Sequence, residues 1–499
     1  MSILNVISLF GIFGFCAIAW LFSEHRNPKK FPWRIVITGI LLQLVLGAFV
    51  FIVPGTRDAL QVFSNLLNAV FDAADTGARF VFGRTIVPLP NQPPDINLGY
   101  IFAFRALPTV IFFSGFMALL QALGVIQAIT TVFAKLFYAT MRLSGAEALS
   151  GAANIFVGIE AAIVVKPFLP KMTRSELCAI LACCFGTAAS STLAIYVSFL
   201  RPVFPNILGH LVSASIIAIP ACFVLSKILV PETEVPLTRG GIPQEEKWLT
   251  EDGEALEETM AGDLIEKVSP LDAAIVGALD GVKMAVSIAA VLILILGLVS
   301  LVNQTFSGLA SLPGVIGQIF SVVTLANIAG VLFLPFTFLT GVSLEWNELW
   351  ESSVMIGRRL LETAIPPYQA LAVAAARPDN PISDRAVLII SYALSGFAHL
   401  ASMGIFVGGT IALIPSRRKD ISDLGWKALF VGTLATMMIA CVAGVYDTGS
   451  PSILGEKAPT PVPAASPQSS TSSVTAPKPI LIPKSPKLIK PSASKDSKK

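Results

Sequence analysis

A chain of 499 residues that is 54% hydrophobic and 13% charged lies outside soluble composition, where about a quarter of residues carry charge. Its mean hydropathy of +0.74 and its apolar runs near or beyond ~18 residues describe a polytopic α-helical membrane protein; alternating segments of about 10 residues, the mark of a β-barrel, are lacking. The net charge of +3 hides an asymmetry, because residues 457–499 hold eight lysines and one aspartate, and the net-negative body before them has no basic, aromatic-interleaved module for nucleic acid.

Residues 3–22 read as a first, retained span, too long for a signal peptide and without its cleavage pattern. The basic loop Glu24-His25-Arg26-Asn27-Pro28-Lys29-Lys30 sets that side as cytoplasmic. The N-terminus is then outside, and residues 35–53 return outward. Residues 57–83 mix charge and apolar residues at helical spacing, which fits a helix lying in the interface. Residues 101–123 form the third span, and an interfacial helix around 126–142 follows. Segment 146–168 is flanked by Lys135 and Arg142 before it and Lys166, Lys171 and Arg174 after it. A re-entrant hairpin keeps both flanks in the cytoplasm, and such a segment is allowed where protein buries it or it lines a cavity.

Residues 177–199 then cross outward and 207–229 return. The acidic stretch 232–267 reads as a solvated cytoplasmic connector. Asp280 and Lys283 open the span ending near Val302, and 305–320 read as interfacial on the outer side. A second hairpin is expected over about 325–367, with Pro335 and Gly341 on one arm and Glu362 and Pro366-Pro367 on the other. Residues 385–414 cross inward to Arg417-Arg418-Lys419, and 426–446 are the last span. The fold class is therefore all-α polytopic, with about eight transmembrane helices plus two re-entrant hairpins in inverted repeats. The expected parts are 1–145 (scaffold spans and interfacial helices), 146–230 (first transport repeat), 231–270 (acidic cytoplasmic loop), 271–322 (scaffold span and outer interfacial helix) and 323–448 (second transport repeat). The tail, 449–499, is rich in Pro, Ser and Lys; it cannot bury a core and is expected to be disordered, on the outer side.

The two repeats echo each other. Glu160-Ala161-Ala162-Ile163 is matched by Glu362-Thr363-Ala364-Ile365, and Phe185-Gly186-Thr187-Ala188-Ala189-Ser190 by Phe397-Ala398-His399-Leu400-Ala401-Ser402. Paired, interrupted apolar segments point to a secondary transporter's midplane site, and a carboxylate at membrane depth is a functional signal by default. The polar residues placed there are Asn154, Glu160, Thr187, Ser190, Glu362, His399 and Ser402. Carboxylates and amides suit a polyhydroxyl solute, whereas freed carbonyls with an Asn or Thr oxygen suit Na+. Thr187 and Ser190 are equally able to bond their own i−4 carbonyls. No nucleophile–base set, HExxH or P-loop is present, so neither an enzyme nor an ATP-driven pump is expected. The six cysteines lie in apolar segments without ligand spacing and read as packing residues.

These residues resemble the concentrative nucleoside transporters over most of 10–445. The matching pieces are LPTVIFFSG at 107–115, GAEALSGAANIFVG at 145–158, EAAIVVKPFLPKMTRSEL at 160–177, LFLPFTFLTGV at 332–342 and SGFAHLASMGIFVGG at 395–409, followed by Pro415. The resemblance implies a homotrimer with a scaffold and a moving transport domain. A cation gradient, Na+ rather than H+, would drive nucleoside import across the inner or plasma membrane. It places Asn154, the Val157 carbonyl, Thr187 and the Ala188 carbonyl at the Na+ site, with no other cofactor. Glu160 and Ile159 match the first hairpin's substrate positions, Glu362 the ribose-binding glutamate, Ser402 a ribose-side hydroxyl, and Phe397 and His399 the residues beside the nucleoside. The family's Gly-Gln-Thr-Glu is here Gly158-Ile159-Glu160, one residue shorter. Its Asn-Glu is Leu361-Glu362, and its Phe-Ala-Asn is Phe397-Ala398-His399. The alternatives are a proton-coupled carrier of modified nucleosides or another polar solute, favoured by His399, and a transport-incompetent receptor or scaffold with the same fold.

Overall fold

The computed structural model describes residues 2–28, 31–52, 69–70, 72–87, 101–158, 160–166, 168–241, 248–249, 255–258, 264–266, 269–320, 322–379 and 381–455. Six of the described helices are long and apolar enough to cross a membrane: Ile3–Leu21, Trp33–Phe51, Phe102–Ala122, Ile207–Leu229, Pro270–Ala310, and Arg418–Tyr446 with its short lead-in from Pro415. A helix of 19 residues reaches about 28 Å at ~1.5 Å per residue, the depth of the hydrocarbon layer.

Packing sorts these helices. Ile207–Leu229 and Arg418–Tyr446 are almost wholly enclosed, which is what an all-round apolar helix requires. Ile3–Leu21 packs on Arg418–Tyr446, and Trp33–Phe51 on Ile207–Leu229. Pro270–Ala310 runs along Phe102–Ala122, touches Trp346–Glu362 more lightly, and is exposed over most of its remaining surface. Gly277 and Gly281 permit that contact. A Cβ at Gly277 would stand 2.9 Å from the Ser114 carbonyl oxygen, and one at Gly281 2.8 Å from Ile111 Cα. Within residues 1–145, Ile3–Leu21 and Trp33–Phe51 pack against the enclosed helices, and Phe102–Ala122 packs against Pro270–Ala310.

Hydrogen bonds show which loops share an end. At one end, Ser23 Oγ donates to Ile228 O at 2.7 Å and Gly145 N donates to Thr238 O at 2.9 Å. Arg174 binds Glu24 at 3.0 Å and also pairs with Asp423, and Arg417 Nη1 donates to Met172 O at 3.0 Å. Burial pushes the Glu24 carboxyl up, but hydrogen bonds from Arg174 and Lys427 outweigh it and hold the group below its ordinary value. At the opposite end, Asn5 Nδ2 donates to Val445 O and Asp447 O. Arg385 there pairs with Asp447 at 2.9 Å and reaches Gly341 O at 2.9 Å. Segment 145–173 thus begins and finishes at the first end. Segment 346–383 begins and finishes at the second, where Ser383 N donates to Glu348 Oε1 at 2.7 Å.

The two halves have the same order of elements. In the first, Gly145–Ala153, a tip, Glu160–Ile163 and the turns after it precede Arg174–Gly186, a break, and Ser190–Leu200. In the second, Trp346–Glu362, a tip, and Ile365–Ala375 precede Asp384–Leu394, a break, and Leu400–Leu413. Reciprocal capping boxes start two of these helices, Ser144 with Glu147 and Thr173 with Glu176. Each satisfies two otherwise orphaned backbone donors.

Three expectations change. The second hairpin was expected over 325–367; its tip lies between Glu362 and Ile365, and Leu325–Leu339 is a separate helix packed on Trp346–Glu362. Pro270–Ala310 runs unbroken for 41 residues, so the interfacial segment expected at 305–320 begins inside it. The acidic connector contains a small antiparallel sheet, Trp248–Leu249, Ala255–Glu258 and Leu264–Glu266, with Leu256 opposite Glu266. Parts of 57–83 and all of 456–499 lie outside the described residues.

Candidate functional site

The elements that interrupt the helices converge on one cavity of about 330 Å³, within the usual range for small-molecule sites. Gly158 from the first tip and Thr363, Ala364 and Ile365 from the second line it. So do Ala189, Thr192 and Tyr196 after the first break, and Phe397, His399, Ser402 and Phe406 at the second. Met284, Ser287, Ile288, Val291 and Leu292 of Pro270–Ala310 form an apolar wall.

Local chemistry explains the breaks. Thr187 is extended (φ −117°, ψ 173°), and the helix restarts at Ser190. There the Ser190 N–H and Oγ both donate to Phe156 O, at 3.1 and 2.7 Å. The first break is thereby fastened to the first tip. Phe397 N donates to Thr187 O at 3.1 Å, so the two breaks meet. Only glycine fits where they cross, since a Cβ at Gly396 would stand 2.7 Å from the Gly186 carbonyl oxygen. At the second break His399 is the N-cap of Leu400–Leu413. Its Nδ1 accepts from Ser402 N at 3.3 Å and lies 3.0 Å from Ser402 Oγ, so that nitrogen carries no proton while it caps.

Asn154 is fully buried at the end of Gly145–Ala153. Its Nδ2 donates to Ser150 O at 3.1 Å, but its Oδ1 has no hydrogen-bond partner. A buried acceptor left unpaired costs about 1–3 kcal/mol, and a hard cation satisfies it. Thr187 is buried, and its Oγ1 donates to Cys183 O at 2.9 Å, leaving lone pairs available. The Phe156–Ser190 bonds hold the Asn154–Val157 stretch against the Thr187–Ala188 stretch. The donor set is neutral oxygen, which fits Na+.

Other expected residues fare differently. Phe397, His399 and Ser402 line the cavity. Glu362 does not. It is the last residue of its helix, 5% exposed, and Arg358 one turn back holds both its oxygens, with Nη2–Oε2 at 2.7 Å and Nε–Oε1 at 3.1 Å. The i,i+4 spacing draws the carboxylate back along the helix. The chain then turns at Thr363, whose φ of +72° is a strained value for a β-branched residue. Ile159 and the side chain of Glu160 lie outside the described residues.

The structure also brings forward residues the sequence reading passed over. Lys227 and Glu147 form a buried ion pair at 2.5 Å. Tyr196 and Tyr368 stack with centroids 4.3 Å apart. Arg359 is fully buried in the second hairpin. Lys227, a cation in the last turn of the apolar Ile207–Leu229, carried the same intramembrane-charge signal as Glu160, whereas Arg359 stands among the charged residues of Trp346–Glu362 and carried none.

Known proteins share this fold. Family models described as the C-terminus and the N-terminus of Na+ dependent nucleoside transporters match residues 210–444 and 10–85, and one described as nucleoside recognition matches 103–203. An uncharacterized transporter of Haemophilus influenzae is 33% identical over 449 residues, 89% of this chain and 98% of its own. Solute carrier family 28 member 3 of Mus musculus is 32% identical over 455 residues; the match covers 89% of this chain and 59% of that one, so the chain spans about three-fifths of that relative's length. The structure of CNTnw in an inward-facing substrate-bound state superposes with a TM-score of 0.75 at 33% identity, covering 89% of this chain and 100% of that one. Fold and site define a multi-pass membrane transporter, not an enzyme. By identity along nearly the whole length of its bacterial relatives, the chain belongs to the concentrative (Na+-dependent) nucleoside transporter family.

Proposed function

We propose that this protein is a Na+-coupled symporter that imports nucleosides across the inner or plasma membrane. The observation that carries the reading is the orphaned Oδ1 of buried Asn154, held beside the first helix break and next to the cavity. A cation there ties Gly145–Ala153 to the break at Thr187, and Ser190 links that break to the tip that closes on the solute. Cation binding and substrate binding then order the same stretch, which is the origin of coupling. The Ser402 hydroxyl, His399 and Thr363 supply the polar contacts for ribose, while Phe397 and the Met284–Leu292 wall take the base. Glu362, held by Arg358 at 2.7 Å beside the Thr363 that lines the cavity, keeps lone pairs with which to accept from a ribose hydroxyl.

The six long helices and the two broken ones, Arg174–Leu200 and Asp384–Leu413, give eight crossings. The two hairpins, each returning to its own end, form inverted repeats. The Glu24, Arg174 and Arg417 end is cytoplasmic by its basic loops, which puts Asn5 and Asp447 outside. The exposed apolar length of Pro270–Ala310, where Ile293 is 76% exposed, suits a homotrimer interface within the bilayer. Proton coupling through His399 is disfavoured, because protonating Nδ1 breaks the cap on Leu400–Leu413. Uptake of radiolabelled ribonucleosides into proteoliposomes tests the proposal. An imposed inward Na+ gradient should drive accumulation and a proton gradient alone should not; the reverse pattern, or no nucleoside uptake at all, overturns it.

A further inference from the structure

Arg359 is a guanidinium with no exposed surface, one turn before the tip of the second hairpin. Arginine stays charged under all working conditions, and a buried charge is costly without a carboxylate. Among the described residues it has none. Its Nη1 donates to Ala393 O and, at 2.8 Å, to Thr436 Oγ1, while Nε and Nη2 have no hydrogen-bond partner. Ala393 lies in the last turn of Asp384–Leu394, where carbonyls run out of helical partners and the helix dipole is negative. The guanidinium therefore sits on the C-terminal end of the second half's interrupted helix.

The first half has a matching place. The match is one of element order, not of residue register: the first arm ends at Asn154, and the Ser190 bonds to Phe156 O fasten that tip to the break after Arg174–Gly186, whereas Arg359 stands three residues inside the end of its arm. The occupant needed differs in sign of demand: Asn154 presents an unpaired acceptor, which calls for a cation, whereas Arg359 presents unpaired donors and is itself the cation. Resting on the symport reading above, we propose that Arg359 is a tethered cation. It occupies in the second half the place an exchangeable coupling cation takes in the first, holding Trp346–Glu362 to the end of Asp384–Leu394, so that this half needs no ion of its own.

The test is cation dependence and chemical rescue, with full-length protein in proteoliposomes and purified in detergent. Arg359→Ala should lower Na+-driven ribonucleoside uptake by about tenfold or more, and guanidinium chloride at millimolar concentration should restore a saturable part of it. Arg359→Lys, which keeps the charge, should retain more uptake than Arg359→Ala. The wild type should bind one 22Na+ per protomer. A wild type that binds two, or an Arg359→Ala protein that transports as the wild type does, overturns the proposal, as does a monodisperse, Na+-binding Arg359→Ala protein that guanidinium fails to rescue. If Arg359→Ala is not recovered folded, the wild-type binding number and Arg359→Lys uptake decide it. Failure of the symport reading shows differently, as wild-type vesicles that accumulate no nucleoside under any cation gradient, and overturns both.

Discussion

Replacing Lys227 with methionine is expected to destabilise the protein by about 3 kcal/mol. Lys227 Nζ lies 2.5 Å from Glu147 Oε1 and 3.2 Å from Glu232 Oε2, and the side chains of Lys227 and Glu147 are 4% and 1% exposed. Breaking a buried pair costs about 3–5 kcal/mol, because the survivor is a charge with neither partner nor water. The low end applies, since Glu147 Oε2 keeps the Ser144 N–H at 3.0 Å and Glu232 is a quarter exposed. Lys227→Met/Glu147→Gln removes both charges and leaves an amide oxygen for that N–H. It should return to within about 1 kcal/mol of the wild type, because neutral groups of similar volume often replace a buried pair at no net cost. Guanidinium unfolding of the purified protein in detergent, followed by tryptophan fluorescence, gives both values as midpoint shifts at constant slope. A single variant within about 1 kcal/mol of the wild type, or a double variant as damaged as the single, refutes the reasoning.

Asn154→Ala should raise the Na+ concentration for half-maximal uptake by about tenfold, or ~1.4 kcal/mol, and an unchanged value removes Asn154 from the cation site. His399→Ala should cost about 1 kcal/mol through the lost N-cap and depress uptake, while His399→Asn, which can still cap, should keep stability; equal losses would place the effect in packing. Thr363→Gly should stabilise the protein by about 1 kcal/mol by relieving the positive φ and weaken substrate binding; a destabilised variant contradicts the strain. Glu24 titrates lower in the folded protein than its ordinary 4.5, so its contribution is full above that value and is lost as pH falls through the folded one. Thermal stability should decline on acidification below about pH 4.5, and Glu24→Gln should flatten that decline; a parallel decline in the variant would assign it to other carboxyls.

Much of the architecture was legible in the chain. Apolar runs located the long helices, and the small and hydroxyl residues at 187–190 and 397–402 announced two breaks. These are local matters of hydrophobicity and backbone freedom, which a few consecutive residues decide. Asn154 was equally readable, because an amide in an apolar run must find a partner wherever the fold puts it. Only the tertiary structure decided which helices are enclosed, since lipid and protein interior are both apolar and the same sequence satisfies either. Only it paired Lys227 with Glu147, distant in sequence, and set Arg359 on the end of Asp384–Leu394. The clearest case is Glu362. Residue order names it as a carboxylate at membrane depth, whereas its pairing with Arg358 at 2.7 Å is settled only in the folded helix, because a charge's partner depends on three-dimensional direction that residue order alone does not contain.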